Sequence, residues 1–103
     1  MRPPRRPDDE RDPLDVTRCR VSISGRVQGV WFRETCRERA TTERVAGWVR
    51  NRPDGSVEAV FEGSRAAVER MVSWCHDGPP RAHVAGVEIT SESPVGEVGF
   101  RAR

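Results

Sequence analysis

The chain has 103 residues, of which 35% are hydrophobic and 33% are charged, so it has room for one domain with a small core and not for a multidomain assembly. Its eighteen basic residues, all arginine, nearly balance sixteen acidic ones at a formal charge of +2, which by itself does not indicate a nucleic-acid binder. No apolar run approaches the roughly 18 to 20 residues that span a bilayer, and no apolar segment follows the charged start as in a secretory signal, so we expect a cytoplasmic protein without membrane association.

The first fifteen residues differ in composition from the rest of the chain. They include four prolines, four arginines and five acidic residues, with Leu14 as the one sizeable apolar side chain after the initial Met. Such a segment buries too little apolar surface to offset the entropy of ordering, so we expect residues 1–15 to be a disordered tail and the domain to span residues 16–103. A tail that binds a partner is the alternative, but its mixed charge argues against a polybasic anchor.

The first predicted elements are a strand and a helix. Residues 16–25 alternate, with Cys19, Val21 and Ile23 on one side, which predicts a half-buried strand. Residues 31–42 lack Pro and Gly and place apolar or small side chains at helical spacing, which predicts a short helix. A glycine-containing turn therefore joins the end of a strand to the start of a helix.

Two further strands are predicted to form a hairpin. Residues 45–50 and 56–62 have strand-like patterns, and the Asp54-Gly55 pair between them is a strong turn signal.

The C-terminal part of the chain predicts a second helix and two strands. Ser64 is suited to cap a helix that runs to about residue 76, before the Gly78-Pro79-Pro80 break. Residues 83–90 alternate with one irregularity, and residues 97–101 are expected to form a short last strand.

The order of these elements predicts the fold class. A β, α, β, β, α, β order with an extra terminal strand describes a ferredoxin-like α/β (α+β) sandwich. We expect an antiparallel sheet with both helices on one face.

The turn between the first strand and the first helix is suited to bind an anion. It reads Gly25-Arg26-Val27-Gln28-Gly29-Val30-Trp31-Phe32-Arg33. Its glycines let backbone amides converge, and the helix that follows adds unpaired N–H groups and the positive end of its dipole. Arg33, in the first helical turn, has a planar guanidinium that is able to contact two phosphate oxygens. Such a turn is common, however, and Arg33 on its own could be a solvated helix residue.

A second group of residues makes the pattern specific. It comprises Gly47-Trp48-Val49-Arg50-Asn51, then Gly55-Ser56-Val57, and then Gly63. With the first motif, in which every fixed place is filled, this pattern resembles the acylphosphatase family over about residues 18–103.

The resemblance implies hydrolysis of the carboxyl-phosphate bond of a small acyl phosphate, without a metal ion, another cofactor or a covalent intermediate. It makes Arg33 the phosphate-binding arginine and Asn51 the residue that orients water. The loop expected to bind the substrate phosphate consists of Gln28, Gly29, Val30, Trp31, Phe32 and Arg33.

Other candidate residues have simpler interpretations. His76 and His83 flank the proline break outside both motifs, and Asp54 is explained by its turn. Trp31 either contacts the acyl group at the mouth of the loop or packs locally, and Trp48 and Trp74 are assigned to structure. Metal and disulfide roles are not expected for the three cysteines, which form none of the close pairs that such roles require.

Two alternatives to a free enzyme remain. One is a non-catalytic ferredoxin-like module that binds an anion or RNA, although the first strand has no aromatic residue for stacking on bases. The other is a domain that serves a larger assembly handling carbamoyl groups. We expect a monomer without a nucleic-acid partner, and the natural acyl phosphate stays open among acetyl, carbamoyl and phosphoglyceroyl phosphates.

Overall fold

The computed structural model describes residues 15–103, and every predicted helix and strand is present in it. In chain order these are β1 (Val16–Arg26), α1 (Phe32–Glu43), β2 (Ala46–Asn51), β3 (Val57–Ser64), α2 (Arg65–Cys75), β4 (His83–Glu92) and β5 (Phe100–Ala102). The expected tail lies outside the described residues, apart from Asp15.

The sheet has the strand order β4-β1-β3-β2-β5. Its first four strands are antiparallel, as predicted, with Val21 opposite Ala59 of β3 and Ile89 of β4. Strand β5 instead pairs with β2 in parallel, with Gly47 opposite Phe100, so the complete sheet is mixed. The extra strand was predicted from the sequence, but its direction was not.

Both helices pack on one face of this sheet, which confirms the ferredoxin-like sandwich. The β1 side chains of Cys19, Val21 and Ile23 enter the same core as Cys36 of α1 and Met71 of α2. All five are buried, with relative exposures between 0% and 5%. The apolar side chains that alternate in β1 and those at helical spacing in α2 thus pack against each other in one apolar layer.

The two helices begin in different ways. Ser64 caps α2 as predicted, since its hydroxyl accepts a hydrogen bond of 3.2 Å from the Ala67 N–H. At the start of α1 the N-cap is Trp31, which has left-handed backbone angles (φ 68°, ψ 20°) and makes no capping hydrogen bond with its side chain. Neither helix in the described part of the chain is long and apolar enough to cross a membrane.

The sheet face opposite the helices, here called the outer face, carries a network of ion pairs. The Glu58 carboxylate accepts hydrogen bonds from Arg20, Arg50 and Arg52 at 2.6–2.8 Å. Arg18 lies on this face, away from the core, yet it is only 7% exposed because carboxylates surround it. Paired guanidinium groups therefore cover the Glu58 carboxylate, which is 4% exposed, while Arg20 and Arg50 are 36% and 47% exposed.

Candidate active site

Residues 27–33, here called the cradle, connect β1 to α1. The side chains of Val27, Val30 and Phe32 are 1–6% exposed and anchor the loop in the core. Gly29 takes a positive φ of 73°, which favours glycine, and reverses the chain between two of these anchors. The apolar side chains therefore point inward and leave the polar backbone of the loop at the surface.

The backbone N–H groups of the cradle are not used by the fold. Within residues 15–103, those of residues 28–33 donate no hydrogen bond to another protein group. Several of them lie in the bends before α1 or in its first turn, where helical N–H groups have no partner within the helix. Unpaired amides beside the positive end of a helix dipole are a favourable place for an anion.

Arg33 is the last residue of the cradle; it lies in the first turn of α1 and is exposed. Its Nη1 donates a hydrogen bond of 2.9 Å to the main-chain oxygen of Arg103. A guanidinium has five N–H donors, so this one contact orients the side chain without exhausting it.

Asn51 is the last residue of β2 and pairs with Val57 across the hairpin. No hydrogen bond ties its carboxamide to another group in the described part of the chain, and the side chain is half-buried. Both its donor and its acceptor are thus available to a ligand or a water molecule.

A cavity of about 450 Å³ brings these two side chains together with the cradle. Its lining comes from the cradle, the start of α1 and the ends of β2 and β5: Val27, Gly29, Trp31, Phe32, Arg33, Glu34, Asn51 and Ala102. Gly29, Trp31, Phe32, Arg33 and Asn51 were all predicted site residues, whereas Gln28 and Val30 do not line it. Its volume falls within the range typical of small-molecule sites, about 300 to 1,000 Å³.

The Gln28 side chain points to the β2–β3 hairpin. Its Nε2 donates to the backbone carbonyl oxygens of Arg52, at 2.7 Å, and Ser56, at 2.9 Å. The hairpin closes on itself through the Arg52 N–H, which donates to the same Ser56 carbonyl at 2.8 Å. One amide therefore joins the cradle to the turn that follows Asn51.

The contribution of β5 to this site was missed from the sequence. Ala102 lines the cavity and the main-chain oxygen of Arg103 accepts the hydrogen bond from Arg33. Three residues of strand are too short to show a periodicity, and no local pattern reports that a terminal strand will pair in parallel with β2.

The remaining candidates lie elsewhere. Asp54 accepts hydrogen bonds from the Ser56 N–H and hydroxyl at 2.9 and 2.6 Å, which is the turn geometry expected for it. His76 ends α2 and His83 begins β4. The Trp74 ring packs against Phe32 with centroids 5.1 Å apart, and Trp48 lies under arginine guanidinium groups of the outer face.

The three cysteines lie in the hydrophobic core. All three are unpaired and buried, and burial raises the pKa of the Cys36 and Cys75 thiols well above the usual value. Among residues 15–103 no group of three or more His, Cys, Asp or Glu side chains is placed to hold a metal ion.

Comparison with known proteins identifies related chains. The family model named Acylphosphatase matches residues 19–102. An acylphosphatase of Rubrobacter xylanophilus is 59% identical over 87 residues, which are 84% of this chain and 79% of that protein. One of Haloarcula marismortui is 58% identical over 84% of this chain and 96% of that protein. The solved structure of an acylphosphatase from Coxiella burnetii superposes with a TM-score of 0.85 at 36% identity, covering 88% of this chain and 96% of that one.

Proposed function

Since the chain belongs to the acylphosphatase family, we propose that it hydrolyses the mixed anhydride of an acyl phosphate to a carboxylate and inorganic phosphate, as a hydrolase that uses neither a metal ion nor a covalent intermediate. The observation that carries the proposal is one cavity lined by Arg33, by Asn51 and by a cradle whose N–H groups have no protein partner among the described residues.

The cradle and Arg33 bind the phosphoryl group in this proposal. The N–H groups of residues 28–33 and the guanidinium surround its peripheral oxygens, where negative charge is concentrated in the transition state. Because buried side chains hold the cradle in place, its donors need little reorganisation during the reaction.

Asn51 positions the attacking water. Its carboxamide accepts one hydrogen bond and donates another, which aligns a water molecule but does not deprotonate it. As the water oxygen bonds to phosphorus, the bond from phosphorus to the acyl oxygen breaks and the carboxylate leaves with the electron pair. A substrate phosphate oxygen takes the water's proton.

The leaving group needs no acid. A carboxylate has a usual pKa of about 4, so it departs without being protonated. The lining of the cavity agrees with this requirement, since its charged side chains are Arg33 and Glu34 and neither histidine belongs to it.

The outer face argues against the RNA-binding alternative. Glu58 lies at its centre with a side chain only 4% exposed, and Trp48, on the same face, is 8% exposed. An RNA platform of this shape needs exposed aromatic rings on which bases stack, whereas Trp48 is buried beneath arginine guanidinium groups.

The proposal describes a monomer that acts in the cytoplasm on a small molecule, without a nucleic-acid partner. Unpaired, buried thiols suit a reducing compartment.

The test is release of carboxylate from acetyl phosphate by the purified protein in EDTA, with inorganic phosphate added in parallel. We expect hydrolysis that EDTA does not affect and that phosphate inhibits competitively. Arg33→Ala should abolish nearly all of it, and Asn51→Ala should lower kcat by roughly 100- to 1,000-fold, the loss typical of one preorganised donor.

Matched variants separate these roles from folding. Arg33→Lys keeps the charge but loses the planar donor pair, so it should recover only part of the activity. His76→Ala, at the end of α2, should behave as the wild type. A folded Arg33→Ala or Asn51→Ala variant with wild-type turnover would contradict the site, and a folded protein that binds phosphate without hydrolysis would favour the binding module.

A further inference from the structure

Trp31 is the most solvent-exposed tryptophan of the chain, although it lies within the cradle. Its relative exposure is 73%, whereas Trp48 is 8% exposed and Trp74 packs against the core. We propose that the Trp31 indole forms one wall of an acyl subsite and selects acyl phosphates whose acyl group is flat and apolar. This inference rests on the proposed function, because it assigns the part of the cavity that the phosphoryl group does not occupy.

The backbone at Trp31 makes a local packing role a poor explanation. Its φ of 68° and ψ of 20° are left-handed angles that are unfavourable for residues other than glycine, asparagine and aspartate. Its ring takes part in no aromatic or cation–π contact with another described residue. The fold therefore tolerates both backbone strain and an exposed apolar ring here, a combination that points to a ligand.

The position of Trp31 places it beside the acyl group. It lines the same cavity as Arg33 and Asn51 and lies two residues before Arg33. A phosphoryl group bound to the N–H groups of the cradle directs the rest of the substrate outward, toward the exposed rim of the loop. An indole at that rim offers a large rigid surface for stacking.

The charges of the lining favour an uncharged acyl group. Arg33 is its one cation, and the proposed function assigns it to the phosphoryl group. The Glu34 carboxylate also lines the cavity and forms an ion pair with Arg37. A second anionic group on the substrate would be repelled by the Glu34 carboxylate, and the lining has no further cation to pair with it. A benzoyl group therefore fits better than a phosphoglyceroyl group.

The experiment compares two non-hydrolysable ketone analogues, phenacylphosphonate with a phenyl ring and acetonylphosphonate with a methyl group. Their dissociation constants are measured by calorimetry for the wild type and for Trp31→Phe, Trp31→Asn and Trp31→Gly. Any change in the cradle affects both analogues, so the ratio of the two constants isolates the acyl side. Circular dichroism checks folding, and the Asn and Gly variants suit the left-handed backbone.

We expect the wild type to prefer phenacylphosphonate by about tenfold, Trp31→Phe to keep most of that preference, and Trp31→Asn and Trp31→Gly to lose it. With turnover as a second readout, the ratio of kcat/KM for benzoyl phosphate to that for acetyl phosphate should follow the same order.

Two results would overturn the inference: a wild type that does not distinguish the analogues, or folded Asn and Gly variants that keep the wild-type ratio. The proposed function fails separately. Suppose that the wild type hydrolyses neither substrate, but that the wild type and Trp31→Phe prefer phenacylphosphonate while Trp31→Asn and Trp31→Gly do not. That result would support the subsite and overturn the proposed activity.

Discussion

Gln28 shows how a single side chain ties the candidate site together. Its Nε2 group donates to two carbonyl oxygens of the β2–β3 hairpin, so the loop that presents N–H groups and the turn after Asn51 share one connection. The residue was predicted as part of the phosphate loop, and that assignment stays a prediction. The observed contact is to protein.

Replacing Gln28 by Leu should lower the free energy of unfolding by about 1–3 kcal/mol, because two hydrogen bonds from its Nε2 are lost, each with a net contribution of about 0.5–1.5 kcal/mol. It should also lower kcat/KM, since the hairpin that carries Asn51 becomes less firmly held against the cradle. Urea denaturation and acetyl phosphate hydrolysis measure the two effects. The control is Thr41→Val, which removes an exposed hydrogen bond of 2.8 Å to the Arg37 carbonyl and should cost less than about 0.5 kcal/mol. Equal losses in both variants would contradict a role for the Gln28 hydrogen bonds to the hairpin.

Two glycines that shape secondary-structure elements, Gly29 before α1 and Gly47 in β2, have positive φ for different reasons. Gly29, in the cradle, has no heavy atom within 4 Å of the place where a Cβ would be. Gly47, at the start of β2, has a φ of 135°, and its Cβ would lie 1.9 Å from the Val60 carbonyl oxygen of β3. The first position is limited by backbone conformation alone, and the second also by the close approach of two strands.

Alanine at these positions should therefore have unequal effects. Gly29→Ala should reduce the free energy of unfolding by about 1–2 kcal/mol, the cost of left-handed angles for a residue with a Cβ. Gly47→Ala should cost more than about 4 kcal/mol or prevent folding, because strand β2 has to move away from β3. Thermal unfolding followed by circular dichroism makes the comparison. A Gly47→Ala variant as stable as Gly29→Ala would refute the proposed steric cause.

Strand β5 depends on a carboxylate from β3. Glu62 accepts hydrogen bonds from the N–H groups of Val95, Gly96 and Glu97 at 2.8–2.9 Å. Because a side chain engages these N–H groups, they are not available to a strand ladder, and β5 begins only at Phe100. The same contact holds the segment that leads to Ala102 and Arg103.

At the scale of the whole molecule, the carboxylates of the outer face make stability depend on pH. Burial alone would raise the pKa of Glu58, but hydrogen bonds from Arg52, Arg50 and Arg20 outweigh it and lower the pKa to about 2. The Arg20 and Arg18 guanidinium groups likewise lower the pKa of Glu92. A carboxylate whose pKa is lower in the folded state stabilises the fold above its unfolded pKa of about 4.3, and that contribution is lost as the pH falls toward the folded pKa.

Glu58→Gln should consequently be less stable than the wild type by about 3 kcal/mol at pH 7, and the difference should shrink between pH 4.5 and pH 2. Near pH 2 about half of the wild-type carboxyl groups are protonated, and the protonated form resembles the amide. Urea denaturation at a series of pH values provides the measurement. Glu38→Gln, on the exposed side of α1, serves as a control and should change stability by less than about 0.5 kcal/mol at every pH. A constant difference between Glu58→Gln and the wild type from pH 7 to pH 2 would contradict this origin.

Much of the architecture was predictable because it depends on local sequence patterns, such as strand alternation and helix caps. The alternation of Cys19, Val21 and Ile23 and the capping position of Ser64 depend on neighbouring residues, and the structure confirms both. The two motifs also predicted that Arg33 and Asn51 belong together, and they line one cavity. Their chemical roles stay predictions for the variants above to test.

The sequence by itself determined the elements, their order and the residue types of the site, since periodicity, caps and glycine positions act over a few residues. Only the tertiary structure decided that β5 runs parallel to β2, that Gln28 reaches the hairpin and that Arg18 is covered by carboxylates. Each of these contacts joins residues at least 24 positions apart, as with Gln28 and Arg52. Such pairs are fixed by the packing of the whole sheet and leave no mark on the local pattern of either partner.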